Sequence, residues 1–159
     1  QLVAQLETAR RHREESAPTT DFKYATGNFA SYKGGLLAPL PGRITEGFGW
    51  KVDPITKLKS FSPGIEITGK AGSPVRAATG GVVAYIGALR GYGVFTIVEH
   101  EDGYYSTYAG LDKALVEKGQ LVNRGDNLGM AANGIIKFEL RQGKESLDPV
   151  EWMKLDNLK

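Results

Sequence analysis

The chain has 159 residues, of which 41% are hydrophobic and 24% charged, and its formal net charge is only +2. This composition is ordinary for a globular domain; it excludes a disordered acidic tail and a membrane-spanning protein, and so small and dispersed a charge argues against a nucleic-acid partner. Cysteine is absent, which excludes disulfides, thiolate metal sites and cysteine nucleophiles.

The N-terminal part is predicted to be a helix followed by a linker. Residues 1–16 place apolar side chains along one helical stripe, which predicts either the end of a coiled coil, able to bind itself or an envelope partner, or a terminal helix packed on its own domain. Pro18 breaks this pattern and begins a linker assigned to residues 17–35. Because the first residue is Gln1, we expect any targeting signal or anchor to lie upstream.

Beyond Arg43 the chain consists of short runs of β-branched and aromatic residues separated by glycines. The clearest runs are 82–86 (VVAYI), 94–98 (VFTIV), 104–108 (YYSTY) and 135–140 (IIKFEL). No helical segment long enough for a parallel crossover separates them, so the predicted fold class is all-β, with antiparallel strands in two sheets. We expect the domain body to occupy residues 36–150, followed by a C-terminal tail at 151–159.

A series of short motifs follows in a fixed order along the domain. They are 44–49 (ITEGFG), 53–56 (DPIT), 63–67 (PGIEI), 72–78 (GSPVRAA), 80–83 (GGVV), 91–93 (GYG), 97–100 (IVEH), 107–111 (TYAGL), 116–122 (VEKGQLV), 138–141 (FELR) and 148–149 (DP). Each motif alone is weak, but their joint order resembles the LytM or lysostaphin-type zinc endopeptidase family. The resemblance implies an antiparallel β domain of that type.

Enzymes of this family cut cell-wall peptide bonds with one zinc ion, held by a His-x-x-x-Asp motif and the second His of a His-x-His motif. The matching positions here carry other residues: Ser62, Glu66, Gly110, Ile135 and Lys137 stand at the former zinc and catalytic positions. The chain has two histidines, His12 and His100, and neither occupies a required position; His100 is expected to be capped or at the surface. The resemblance therefore implies a non-enzyme without a zinc cofactor.

The vacated site leaves a candidate partner-binding groove. Its expected residues are Phe61, Glu66, Tyr92, Tyr105, Tyr108, Gly110, Lys137 and Arg141. Since the former Asp and last His positions converge on one ion, we expect an ion pair between Glu66 and Lys137. Aromatic side chains on a concave surface can anchor a peptide or helix, although in β-sheets they are more often core residues, and we expect about half of them to be core.

The chain further resembles degenerate LytM proteins of the EnvC and NlpD type, which activate murein hydrolases. This resemblance implies a regulator in the periplasm or cell envelope of a bacterium that activates an N-acetylmuramoyl-L-alanine amidase through its groove. The alternative is a peptidoglycan-binding or envelope-assembly scaffold that activates nothing. If the chain is a regulator, charge reversal at Lys137 or Arg141, or added bulk at Gly110, should reduce activation and leave folding intact.

Paired carboxylates such as Glu46 and Glu66 could serve glycoside hydrolysis, but nothing in the sequence selects a pair.

Overall fold

A computed structural model describes residues 29–91 and 93–154 of the chain. A 3-10 turn at Phe29–Tyr32 precedes the strands, and a second one lies at Glu101–Gly103. The strands are β1 Arg43–Glu46, β2 Gly49–Val52, β3 Lys59–Ser62, β4 Ile65–Thr68, β5 Pro74–Arg76, β6 Gly81–Leu89, β7 Gly93–Glu99, β8 Tyr104–Ala114, β9 Leu121–Val122, β10 Asn127–Ala131, β11 Ile135–Gln142 and β12 Glu145–Leu147; the helix α1 spans Pro149–Trp152. No helix within these two ranges has the length and apolar character needed to cross a bilayer.

Ten strands form one antiparallel sheet, and β2 and β3 form a separate hairpin. The order along the sheet is β1-β4-β11-β8-β7-β6-β9, while β10 pairs with both β5 and β8 and β12 pairs with β11. The four runs predicted as strands lie inside β6, β7, β8 and β11. The predicted all-β, antiparallel fold class is therefore confirmed.

The main core lies on one face of the sheet. Successive side chains of a strand point to opposite faces, and β11 follows this rule: Ile136, Phe138 and Leu140 enter the core, whereas Lys137 and Glu139 lie on the other face. Burial of each large apolar side chain contributes about 1.5–3 kcal/mol before the entropy cost of ordering it. The core fixes the register of β11, because a slip of one residue would place Lys137 inside it.

A smaller buried cluster lies apart from the main core and consists of Ala84, Phe95, Ile97, Tyr105 and Ala109. These residues belong to the three central strands β6, β7 and β8, which also contribute to the main core. Both faces of the central strands are therefore buried. This explains why their sequences do not show a simple alternation of apolar and charged residues.

The packed body extends beyond the predicted boundaries at residues 36 and 150. Phe29 is 1% exposed and stacks on Tyr104 with ring centroids 4.3 Å apart, and its backbone N–H donates to Asp102 Oδ2 at 2.9 Å. Trp152 and Met153 are also core residues. Residues 29–35 and 151–153 are thus part of the domain and not of a linker or tail. The predicted helix at 1–16 lies outside the described residues.

Candidate functional site

A row of residues crosses the sheet and includes Glu66 and Lys137, two of the positions predicted from the family motif. Glu46 on β1 pairs with Glu66 on β4, Glu66 with Lys137 on β11, and Lys137 with Ala109 on β8. Neighbouring strands are about 4.8 Å apart, so adjacent side chains of the row lie within reach of one another. The expectation that Glu66 and Lys137 face each other is confirmed.

A β-bulge at Thr45 decides what the Glu66 carboxylate binds. The pairing of β1 with β4 shifts register between Ile44 and Glu46, which leaves Thr45 as the additional residue. The Thr45 hydroxyl donates to Glu66 Oε1 at 2.7 Å and lies 2.9 Å from the Thr68 hydroxyl. Since a hydroxyl has only one proton, Thr68 donates to Thr45 in this chain of hydrogen bonds.

Lys137 forms its ion pair with Glu46. Its Nζ lies 3.3 Å from Glu46 Oε1, and the two side chains are 42% and 39% exposed. The acidic partner Glu46 was not predicted: the bulge brings it into the row, while Thr45 donates a hydrogen bond to the Glu66 carboxylate. The ion pair between Glu66 and Lys137 stays a prediction. At this exposure the pair of Lys137 with Glu46 contributes about 0–1 kcal/mol to stability. The row therefore carries two carboxylates, Glu46 and Glu66, and one ammonium group, Lys137.

Gly110 has no room for a side chain. Its φ is +107°, and a Cβ atom at this position would lie 2.6 Å from the backbone oxygen of Ile135 and 3.3 Å from Ile136 Cα. Residues other than glycine are strained at such a φ, and the neighbouring atoms belong to the backbone of β11, which cannot move aside cheaply. The expectation that bulk at Gly110 would leave folding intact is therefore wrong.

A cavity of about 260 Å³ lies beside the row. Its lining consists of Glu66, Gly91, Gly93, Ala109, Gly110, Leu111, Ala132, Asn133, Ile135 and Lys137. Four of the five positions predicted from the family motif are in this lining, and the fifth, Ser62, is not. Tyr92 lies outside the described residues, although its neighbours Gly91 and Gly93 line the cavity. The lining is mostly small or apolar, with charge confined to one side.

Three residues expected in the groove are buried. Tyr108 is 0% exposed and packs against Phe138 in the main core, with ring centroids 5.2 Å apart. Tyr105 is 1% exposed in the smaller cluster, and Arg141 is 4% exposed. These three side chains are structural in this fold and do not present a free surface to a partner. Phe61, in contrast, is 41% exposed on the β2–β3 hairpin.

Arg141 forms a buried ion pair two residues along the same strand. Its Nη2 lies 3.1 Å from Glu139 Oε1, and Nη1 donates to the Lys144 carbonyl oxygen. Burial raises the pKa of Glu139, and the positive charge of Arg141 opposes this rise only in part. Removing one partner of such a pair leaves a buried charge uncompensated and costs about 3–5 kcal/mol. Charge reversal at Arg141 would therefore damage folding, contrary to the expectation from sequence.

His100 belongs to a buried hydrogen-bond network and is not a surface residue. It is 2% exposed; Nδ1 lies 2.7 Å from the Gly80 carbonyl oxygen and Nε2 lies 2.8 Å from Ser106 Oγ. Ser106 Oγ is in turn 2.8 Å from the Tyr108 hydroxyl, which accepts the Ala78 N–H. Burial lowers the pKa of His100 to about 4 and raises the pKa of Tyr108 to about 12. The network joins β8 to the segment that precedes β6.

The side chains at the former ligand positions do not fit zinc. A catalytic zinc ion needs three nitrogen, sulfur or carboxylate ligands. Glu66 is the one carboxylate among them, Lys137 is a protonated donor without a lone pair, Ile135 is a hydrocarbon, and the Ser62 hydroxyl donates to the Gly64 carbonyl oxygen at 2.8 Å. In the part of the chain that the structure describes, no group of three or more His, Cys, Asp or Glu could hold a metal ion.

Sequence reasoning missed Thr45, and it named Glu46 only as one of several carboxylates that could pair, without placing it beside Lys137. The hydrogen-bonded atoms of Lys137 and Glu46 belong to residues 91 positions apart in the chain. The motif that contains Glu46 did not indicate that this residue pairs with Lys137. The β-bulge and the pairing of β1 with β4 bring the two residues together, and neither can be recognised from the residue types in β1. Asn133, which lines the cavity, was also missed.

Comparison with known proteins matches residues 60–149, more than half of the chain, to the family described as Peptidase family M23. The lipoprotein NlpD/LppB homolog of Pseudomonas aeruginosa is 38% identical over 100 residues, which covers 59% of this chain and 34% of that protein. The murein hydrolase activator NlpD of Escherichia coli K12 is 34% identical over 121 residues, covering 72% of this chain and 30% of that protein. The chain thus spans about a third of the length of these relatives.

Solved structures show the same fold. A zinc-containing peptidase from Vibrio cholerae superimposes with a TM-score of 0.67 at 26% identity, over 74% of this chain and 40% of that one. A putative M23 peptidase from Pseudomonas aeruginosa gives a TM-score of 0.64 at 23% identity, over 97% of this chain and 64% of that one. The fold of this chain is therefore shared with these two proteins.

Proposed function

Since the chain belongs to peptidase family M23, we propose that it is a catalytically inactive member that regulates peptidoglycan hydrolysis by activating a cell-wall amidase. The observation that carries the proposal is the row in which Lys137 binds Glu46 at the former zinc position, beside an open cavity. The similarity to proteins named murein hydrolase activator NlpD supports the same role, and the description of one relative as a lipoprotein supports a place in the bacterial cell envelope. Within the envelope we propose the periplasm.

The cavity fits a partner segment better than it fits a reaction centre. Its lining provides small residues, an exposed Ile135 side chain and the side chains of Glu66 and Lys137 at one side. An apolar patch with few, fixed polar groups is typical of a docking site for a peptide or helix. Lys137 is half-exposed, so an acidic group of the partner could compete with Glu46 for its ammonium.

The test is an amidase assay. The purified domain is added to an N-acetylmuramoyl-L-alanine amidase that has little activity alone, and the release of soluble fragments from cell wall is measured. Lys137→Glu should reduce activation by about tenfold, equivalent to ~1.4 kcal/mol of lost binding, because it removes the only cation of the row and adds a third carboxylate. Lys118→Glu is the matched control, since it makes the same charge change at an exposed residue outside the cavity lining. Thermal unfolding of both variants checks that the fold is retained.

Three outcomes contradict the proposal. Equal activation by Lys137→Glu and wild type would place the contact elsewhere. Binding to insoluble cell wall without amidase stimulation would favour a scaffold role. Chelator-sensitive lysis by the domain alone would show that it is an enzyme.

A further inference from the structure

The β2–β3 hairpin presents an exposed apolar surface that the proposed function does not use. Its large side chains are unusually accessible: Trp50 is 71% exposed, Val52 55%, Ile55 88%, Leu58 69% and Phe61 41%. Single exposed apolar residues are common on protein surfaces. Five of them within one fourteen-residue hairpin, residues 49–62, form an exposed hydrophobic patch, and such patches mark interaction sites.

The patch is held in place by aromatic contacts with the domain. Trp50 and Phe61 are register partners across the hairpin, with ring centroids 5.3 Å apart in an edge-to-face arrangement. Phe61 makes a second edge-to-face contact, also at 5.3 Å, with Phe48, which packs against the main core. Such pairs contribute about 0.5–1.5 kcal/mol each beyond their burial. The hairpin is therefore anchored in one orientation and not a loose loop.

The tip of the hairpin satisfies its own backbone donors. Asp53 Oδ1 accepts the N–H groups of Ile55 at 2.8 Å and Thr56 at 2.9 Å, and the Asp53 carbonyl accepts the Lys57 N–H at 2.8 Å. The Asp53 N–H donates to the Leu58 carbonyl oxygen, and the Leu58 N–H to Thr56 Oγ1. Pro54 has no N–H, so every backbone donor from 53 to 58 has an acceptor inside the loop. The tip can therefore leave bulk water without exposing an unpaired backbone donor, which would be costly away from water.

The charge of the hairpin is also distinctive. The hairpin has a formal net charge of +2, from three lysines (Lys51, Lys57 and Lys59) and one aspartate (Asp53). This equals the formal net charge of the whole chain. Lys57 and Lys59 are exposed beside the apolar tip. Lysine stems can lie along an apolar surface while their ammonium groups reach anionic headgroups, and tryptophan prefers the same boundary. The charged Asp53 limits insertion to headgroup depth.

We infer that this hairpin is a membrane-docking element that inserts Trp50, Ile55 and Leu58 into the interface of a bilayer bearing anionic phospholipids. Exposed aliphatic side chains, flanking lysines and a tip whose backbone donors are already paired favour an anionic lipid surface. The inference does not depend on amidase activation, and its test contains no amidase.

The experiment mixes the 159-residue chain with vesicles of equimolar phosphatidylcholine and phosphatidylglycerol, and with pure phosphatidylcholine vesicles. Co-sedimentation measures partitioning, and tryptophan fluorescence reports insertion, because Trp50 is exposed and Trp152 is only 6% exposed. We expect binding and a blue shift with the anionic vesicles and much weaker binding to the neutral ones. Trp50→Phe should lose the blue shift while still sedimenting with anionic vesicles.

Two double variants separate the apolar and the charged contributions. Ile55→Ser with Leu58→Ser should weaken partitioning by at least ~10-fold, and Lys57→Gln with Lys59→Gln by ~30-fold. The matched control, Leu115→Ser with Leu121→Ser, removes leucines that are 45% and 54% exposed outside the hairpin and should change partitioning by less than about twofold. All these positions are exposed, so the variants are expected to fold.

Two results would overturn the inference. The first is absence of binding to anionic vesicles, or partitioning of the Ile55→Ser, Leu58→Ser variant equal to that of wild type. The second is a dimer of wild type in sedimentation velocity that this variant lacks, together with no vesicle binding, which would assign the patch to a second copy of the chain.

Discussion

Lowering the pH should destabilise this domain through His100. The pKa of the folded-state imidazole falls to about 4 from the ordinary 6.5 because the ring is buried. The unfolded chain therefore binds a proton more readily than the folded one below about pH 6.5. The contribution of His100 to stability is complete above the unfolded pKa and is lost as the pH falls toward the folded pKa. The full difference amounts to about 3 kcal/mol.

Between about pH 7 and about pH 5 the expected loss from His100 is ~2 kcal/mol, a sizeable part of the ~5–15 kcal/mol that stabilises a typical domain. Urea unfolding at several pH values measures it. Glu139 changes in the opposite direction, because its raised pKa gives stability that is present at low pH and lost as the pH rises through that pKa. The comparison is therefore made against His100→Asn, which keeps an N–H near the Gly80 carbonyl and cannot titrate.

A direct measurement supports the comparison if His100→Asn folds poorly. The chain has two histidines, so an NMR titration of His12→Gln follows His100 alone. An imidazole that titrates near 6.5 in the folded protein would refute the reasoning, as would an equal loss of stability in His100→Asn between about pH 7 and about pH 5.

Two further predictions concern the former zinc site. Gly110→Ala should lower the free energy of unfolding by about 3 kcal/mol or more in urea denaturation, whereas Gly119→Ala, with a φ of +89° and open space around it, should cost only ~1 kcal/mol; equal costs would mean that the contact with the β11 backbone is unimportant. Wild type should hold no stoichiometric zinc by elemental analysis, and the combined change Ser62→His, Glu66→Asp and Lys137→His should create zinc binding. Failure of that variant to bind zinc would show that these positions do not converge.

The residue types along the chain were sufficient to predict the fold class, and the replacement of the metal ligands stays a prediction from the family motif. Strand-length runs such as 94–98 lie inside the observed strands, because β-branched and aromatic side chains pack well on a pleated, buried surface and the flanking glycines mark where each run ends. The exchanges at Glu66 and Lys137 can likewise be read from the motif order, since the chemistry of a side chain does not depend on the fold.

Other properties of the site depend on contacts between distant segments, and only the tertiary structure decided them. Lys137 pairs with Glu46 because a bulge at Thr45 shifts β1 against β4, and no local pattern marks that shift. Tyr108 lies in the core because β8 is buried on both faces, although its aromatic ring would suit a groove equally well. Residue type limits the chemistry available at each position. Strand register and burial arise from many weak long-range contacts that form together, and they determine which side chains meet and which remain exposed.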